Sequence, residues 1–304
     1  MRSKKITVLL GSAVVCLIAL SAFGQDSVDC TVWVEVGASI QDAIDQAPEG
    51  ATICLPDGEW QENLTINKSL ILRGSGAELA SISGKIRGIP VVRIDSPEPI
   101  IVVVEDLTIR NAQGSTQECA SVYPQQEQTI CADGIAVMGY AKVTLERVYV
   151  ADNGRMGVYA TDYSQITLHN CTITGSGRIG LFVRRYATGE AENCSIFLNN
   201  EGANVSDSAA LVMTSSQIID SSSYGLYAGG QPTCSLVGCL ISGNGNNGIA
   251  LAHQPHLELV ETIVTANNSW GIVKLSYPFP YDGTLLVDDE TNLTGNQLGA
   301  IGTL

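Results

Sequence analysis

The chain of 304 residues is short of positive charge, with 16 Lys and Arg against 31 Asp and Glu. A net charge of −15 argues against nucleic acid and anionic membranes as partners, since both are bound through clustered cations. Long apolar runs are absent after residue 24, so no later segment is expected to cross a bilayer. No helical period runs through the body of the chain. Also missing are the L-x-x-L-x-L-x-x-N pattern of leucine-rich repeats and the hexapeptide period of left-handed solenoids. The acidic balance is compatible with neutral glycans, with cations, or with acidic glycans bridged by a divalent metal such as calcium.

The exception to the missing apolar run is the first segment. Arg2, Lys4 and Lys5 precede an apolar stretch from Ile6 to Leu20, and Ala22-Phe23-Gly24 offers small residues before a cut. This predicts a signal peptide over residues 1–24 and a soluble, exported chain over 25–304, secreted, periplasmic or at the cell surface. Its removal takes three cations and no anions, moving the net charge from −15 to −18. Eight cysteines remain, and export permits disulfides. Cys30 with Cys54 would pin the start of the chain to the first coil, and Cys119 with Cys131 would clasp an inserted loop.

What the chain has in abundance is a repeat. Glycines open strand-like runs at Gly134, Gly157, Gly180, Gly202, Gly225, Gly248 and Gly271, in steps of 23, 23, 22, 23, 23 and 23. The same steps relate Leu145, Leu168, Ala191, Met213, Leu236 and Leu259, and again Val150, Ile173, Ile196, Ile218, Ile241 and Val264. Within a unit, apolar and polar residues alternate with the period of a strand. Breaks fall at one fixed place, occupied by Arg147, Asn170, Asn193, Ser215, Gly238 and Glu261; Asn and Gly tolerate the left-handed corner this requires. The prediction is an all-β, right-handed parallel β-helix of about 23 residues per coil, each coil about 4.8 Å above the last. Cys171, Cys194 and Cys239 share an inward column with Val148, Ser216 and Thr262 and are expected as free buried thiols. Cys234 is left without a role.

Before the regular coils, "SIQDAIDQAPEG" places Ile40, Ala43, Ile44 and Ala47 on one helical face, with Ser39 and Asp42 at its start. A capping helix over about 39–48 follows. Residues 112–133 lengthen one turn by about 20 residues, as a loop that could wall the first-strand face and bring Tyr123 to it. After Gly271 the next matching glycine is Gly299. The "SYPFPY" segment therefore reads as a corner insertion, and the last coil as uncapped and open to a partner chain.

The segment "SIQDAIDQAPEGATICLPDGEWQENLTINKSLILRGSG", followed by Asn- and Gly-cornered coils, resembles the pectin lyase-like superfamily, and its opening looks most like pectin methylesterases. The resemblance covers residues 30–304 and implies the fold; the superfamily hosts lyases, esterases, hydrolases, epimerases, adhesins and non-catalytic binders. The methylesterases use two Asp and an Arg on adjacent coils. The Asp-Pro-His-Glu run of the glycan epimerases is absent here, and of the polygalacturonase signatures only "CADGI" around Asp133 remains. Asp133 is read as a corner residue.

Stacking converts the repeat into proximity, and two columns follow. Tyr159, Phe182, Asn204 and Tyr227 point outward from the first strand, either as a ladder for sugar rings or as a stack protecting the sheet. Just beyond, Asp162, Arg185 and Asp207 occupy successive coils, continued by Gly230 and His253, with Arg184 beside them. Two carboxylates flanking a guanidinium suit acid/base or nucleophilic work on a glycan, with the Arg holding a uronate; an alternating charge ladder is the competing reading. His253 and His256 lack a third ligand at metal-binding spacing. Two functions stay open. One is a polysaccharide-binding β-helix with lyase, esterase or hydrolase chemistry on acidic glycans. The other is a non-catalytic cell-envelope, surface structural or adhesion protein.

Overall fold

Each 23-residue unit folds as three short strands joined by three corners, and the units stack in register. The computed structural model describes residues 30–114, 131–276 and 280–304. Among these, the strands form three parallel sheets of ten, eleven and nine strands, each sheet taking one strand from successive coils. The first sheet contains Ile135–Gly139, Met156–Ala160, Ile179–Val183, Glu201–Asp207, Leu226–Gly230, Ile249–His253 and Trp270–Leu275. Its register pairs Tyr159 with Phe182, Phe182 with Asn204 and Asn204 with Tyr227. Residues 23 apart are therefore neighbours, as the repeat required.

The interior is one continuous apolar cluster running from Val34 to Ile272. The Leu145-to-Leu259 and Val150-to-Val264 columns lie wholly within it. Their side chains meet those of the coils above and below, so burial is shared along the axis and no coil has a core of its own. The break column sits at the corner between the second and third sheets. All six of its residues from Arg147 to Glu261 have φ between 49° and 61°, the left-handed conformation expected of Asn and Gly. At this corner Arg147 also bonds Asp106 and Glu146 through its guanidinium, at 2.6 Å each.

A second polar column was not anticipated. Asn153, Ser176, Asn199, Ser221, Asn244, Asn267 and Asn296 are all buried at the corner leading back into the first sheet. The Asn244 Oδ1 accepts from the Ser221 N–H at 3.0 Å, and Asn267 Oδ1 accepts from the Asn244 N–H and Nδ2 at 3.1 and 2.9 Å. Backbone groups that a corner would orphan are satisfied by the rung above.

This ladder also explains the glycines. A Cβ on Gly225 would lie 2.6 Å from Gly248 O and 2.7 Å from both Asn244 Nδ2 and Ile241 Cγ2, although its φ is not in the left-handed region. The glycine is required by close approach, since any side chain there would strike both the ladder and the core.

At the start of the chain a helix, α1 (Ile40–Gln46), buries Ile40 and Ile44 over the first coils. Ser39 caps it by accepting from the Asp42 N–H. The return half of a capping box is supplied from elsewhere: Glu62 accepts from the N–H groups of Ile40 and Gln41 at 3.0 and 3.1 Å. Cys30 and Cys54 form a disulfide. Cys171, Cys194 and Cys239 are buried and free, as is Cys234, which lies in the core between Leu211 and Leu257. Cys131 is disulfide-bonded, and Cys119 lies outside the described residues, as do the segment 1–24, Tyr123 and most of the 112–133 loop. The final strand Gly299–Thr303 pairs with Trp270–Leu275, so the restart at Gly299 holds. Leu298, Ile301 and Leu304 of this last coil are exposed.

Candidate functional site

The corner after the first sheet is built from left-handed residues. Gly139, Asp162, Arg185, Asp207, Gly230 and His253 have φ between 59° and 95°. Gly, Asp and His suit this conformation, whereas Arg185 adopts it at a cost of roughly 1–2 kcal/mol. The sequence therefore places Asp162, Arg185 and Asp207 together as expected. Arg185 Nη1 lies 2.6 Å from Asp162 Oδ1, and the Arg185 N–H donates to Asp207 Oδ2 at 3.2 Å. Arg184 Nε approaches the same Asp207 oxygen at 3.3 Å, and its Cζ lies 5.8 Å from the Phe182 ring centroid. The two carboxylates are two coils apart, about 9.6 Å by strand spacing. Each carboxylate is held by a guanidinium, the arrangement of an alternating charge ladder.

The outward aromatic column needs correction. Tyr159 is 1% exposed and Phe182 9%. Their rings are tilted at 36° with centroids 5.3 Å apart. They join Ala136, Met138, Met156 and Ile179 in a second apolar cluster, separate from the core. Strand alternation gave the direction of these side chains correctly but says nothing of what lies over them, and burying two such rings is favourable by several kcal/mol. Neither ring presents a face to a sugar. Tyr227 is half-buried; burial, and then the Glu201 charge, push its phenol up.

The exposed aromatics lie one residue beyond the left-handed column of Gly139, Asp162 and Arg185. Tyr140, Tyr163 and Tyr186 are 47%, 53% and 59% exposed. Their rings stack with centroids 5.3 and 5.1 Å apart and planes within 4° and 7° of parallel. The three tyrosines are related by two steps of 23 in the sequence and fall at a corner, where strand alternation does not apply. Backbone bonds continue the column: the N–H groups of Tyr186, Ser208, Gln231, Gln254 and Asp282 donate to Asp162, Arg185, Asp207, Gly230 and His253 at 2.7–3.0 Å. Gln231 Nε2 donates to Gln254 Oε1 at 2.9 Å, and Gln254 Nε2 to Asp282 Oδ2 at 3.5 Å. One corner thus carries three tyrosines, a serine, two amides and a carboxylate.

A cleft of about 550 Å³ opens where the tyrosines stop, lined by Asp207, Ser208, Gln231, His253, Gln254 and Asp282 among others. His253 ends a first-sheet strand and His256 begins a second-sheet strand, so the two belong to different sheets. Among the described residues no group of three or more His, Cys, Asp or Glu is disposed to hold a metal ion.

Two further carboxyls sit at the corner entering the first sheet. Asp133 is fully buried and accepts from the N–H groups of Cys131 and Met156 at 3.0 and 3.1 Å, which makes it a corner residue. Burial raises it to about 6 against those bonds and the nearby Arg155. Glu201, bonded by Asn204 Nδ2 at 2.8 Å, is raised to about 7 by burial, against that bond and Arg178.

Among curated proteins none matches the sequence significantly. Solved structures do match. The A-module of Azotobacter vinelandii mannuronan C-5 epimerase AlgE4 is 18% identical with a TM-score of 0.57, over 88% of this chain and 94% of that one. The pectate lyase Pel9A is 12% identical at 0.58, over 89% and 82%. ORF18 of Geobacillus virus E2 is 13% identical at 0.55, over 87% and 56%. At these identities the likeness is one of fold. The family model described as "Right handed beta helix region" matches residues 101–268, more than half of the chain. With its three parallel sheets and stacked coils, the chain belongs to the right-handed β-helix family that this model describes.

Proposed function

We propose that this protein is exported and binds a polysaccharide along the corner that follows the first sheet, from Tyr140 to Asp282. The observation that carries this is the continuous, solvent-facing column of tyrosine, serine, glutamine and aspartate leading into the cleft. Amides and hydroxyls both donate and accept, as sugar hydroxyls do, and an aromatic edge beside them is the composition of a glycan track. The same fold carries an epimerase and a pectate lyase among its structural neighbours, which supports a glycan as the partner class. The Cys30–Cys54 disulfide fits an oxidising compartment.

Binding is favoured over catalysis as the primary role. Asp162, Arg185 and Asp207 are engaged with one another, and the Asp-Pro-His-Glu run is missing from the sequence. The test is retention of the purified protein by a panel of immobilised neutral and acidic polysaccharides, with calcium and with chelator, and mass spectrometry of the soluble chains. At least one glycan should be retained, and Tyr186→Ala should weaken it tenfold or more. If no member of the panel is retained, or Tyr186→Ala binds like wild type, the corner is not the site. Shortened, unsaturated or demethylated products would add a catalytic role.

A further inference from the structure

The tyrosine ladder has faces as well as edges. Within the stack, each ring covers its neighbour, so Tyr163 has no open face. Tyr186 ends the stack. The next rung in the column is Ser208, whose side chain is too small to cover a ring, and the rung after that is Gln231. Two coil spacings separate the Tyr186 and Gln231 levels, about 9.6 Å, so a flat ring at the Ser208 level would lie about 5 Å from each. That is the separation the tyrosines themselves adopt. The space is real: the 550 Å³ cleft begins at Ser208 and extends past Gln231 and Gln254 to Asp282.

We infer that the gap at Ser208 is a subsite for one neutral sugar ring, which stacks on the open face of Tyr186 and completes the ladder as its fourth rung. This rests on the glycan-binding reading and adds the chemical class of the ligand. Charge decides that class. Among the described residues, the cleft wall carries Asp207 and Asp282 and no Lys or Arg. Arg184 and Arg185, on the neighbouring coil, already face Asp207 and Asp162. A polyuronate with one ring at Ser208 would meet Asp207 there and Asp282 three rungs further along the cleft, whereas the hydroxyls of a neutral chain would donate to those same carboxylates. The amides of Gln231 and Gln254, on the next two rungs, serve the following rings of a neutral chain equally well. The site therefore selects against the polyuronates named for the structural neighbours.

Ser208→Tyr fills the gap with the ladder's own residue. The control is Val212→Tyr, at an exposed position on the second sheet in register with Glu190 and Ser235. Affinity electrophoresis of wild type and both variants against β-glucan, xyloglucan, glucomannan, polygalacturonate and alginate, with chelator present, reads the result; circular dichroism checks each fold. A neutral glycan should bind at least tenfold more tightly than either polyuronate. Ser208→Tyr should lose that binding tenfold or more, while Val212→Tyr keeps it. Equal binding by Ser208→Tyr would overturn the subsite and leave the glycan track standing. Preference for a polyuronate would overturn the neutral class alone. Failure to bind any of the five polymers would remove both readings.

Discussion

Replacing Gly225 by Ala tests the physical origin of the repeat. The added Cβ would stand 2.6 Å from Gly248 O and 2.7 Å from Asn244 Nδ2 and Ile241 Cγ2, so each neighbour must retreat by about 0.7 Å to reach ordinary contact. None is free to do so. Gly248 O accepts from the Leu226 N–H at 2.9 Å, and Asn244 is fixed by Ser221 and Asn267. Overpacking of this kind costs about 1–3 kcal/mol, and a weakened buried hydrogen bond adds about 1. The smaller unfolded-state entropy of Ala offsets about 0.4–1, leaving a net loss of about 1 to 3.6 kcal/mol, centred near 2. Gly238 provides the comparison. Its φ is +61°, but the nearest atom to a Cβ there is 4.0 Å away, so Gly238→Ala suffers only left-handed strain and should cost about 1 kcal/mol. Urea unfolding followed by far-UV circular dichroism should lower the midpoint for Gly225→Ala well below that for Gly238→Ala, at an unchanged slope. A Gly225→Ala midpoint equal to or above that of Gly238→Ala would show that close approach is not why the glycines recur.

Two carboxyls, the buried Asp133 and the half-buried Glu201, make stability depend on pH in a definite direction. Glu201 and Asp133 are raised to about 7 and about 6, so the folded chain holds protons that the unfolded chain releases; their contribution is complete below about pH 4 and is lost as pH rises through 6 to 7. The thermal midpoint should fall between pH 5 and pH 7.5, and Glu201→Gln should shrink that fall; an undiminished fall in the variant would exclude Glu201 as a source. The thiols give a third expectation. Burial pushes Cys234 up to about 12 and raises Cys239, while bonding to Cys194 and burial push Cys171 up. Native protein should therefore leave a thiol-specific disulfide reagent unreacted at these positions until denaturant is added, and peptide mapping that finds any of them labelled in the native state would contradict the buried column.

Much of this was legible because stacking is periodic. The glycine steps located the coils, the Arg147-to-Glu261 breaks located a corner, and Ile40 with Ile44 located the cap. The Asn153-to-Asn296 ladder escaped because Ser176 and Ser221 interrupt the Asn run, and they belong to it through their backbone N–H groups, which donate to Asn199 and Asn244, rather than through their side chains. At the site, the sequence brought Asp162, Arg185 and Asp207 together, since left-handed corners select such residues and the period aligns them. It misplaced the aromatics. Alternation tells which way Tyr159 points, yet exposure depends on what else reaches that face, and this is a tertiary property. Tyr140, Tyr163 and Tyr186 sit in a corner, where alternation has no meaning.

A coil that touches only its two neighbours can be added or removed without redesigning the rest. The corner column therefore behaves as a ruled edge, graduated in steps of about 4.8 Å. Gln231 and Gln254 are two graduations between the Ser208 gap and Asp282, and one more 23-residue unit bearing a glutamine would lengthen that interval by one mark. The reach of the site along a polymer is in this sense a copy number, open to change by duplicating a coil while Tyr186, Ser208 and the fold around them stay as they are.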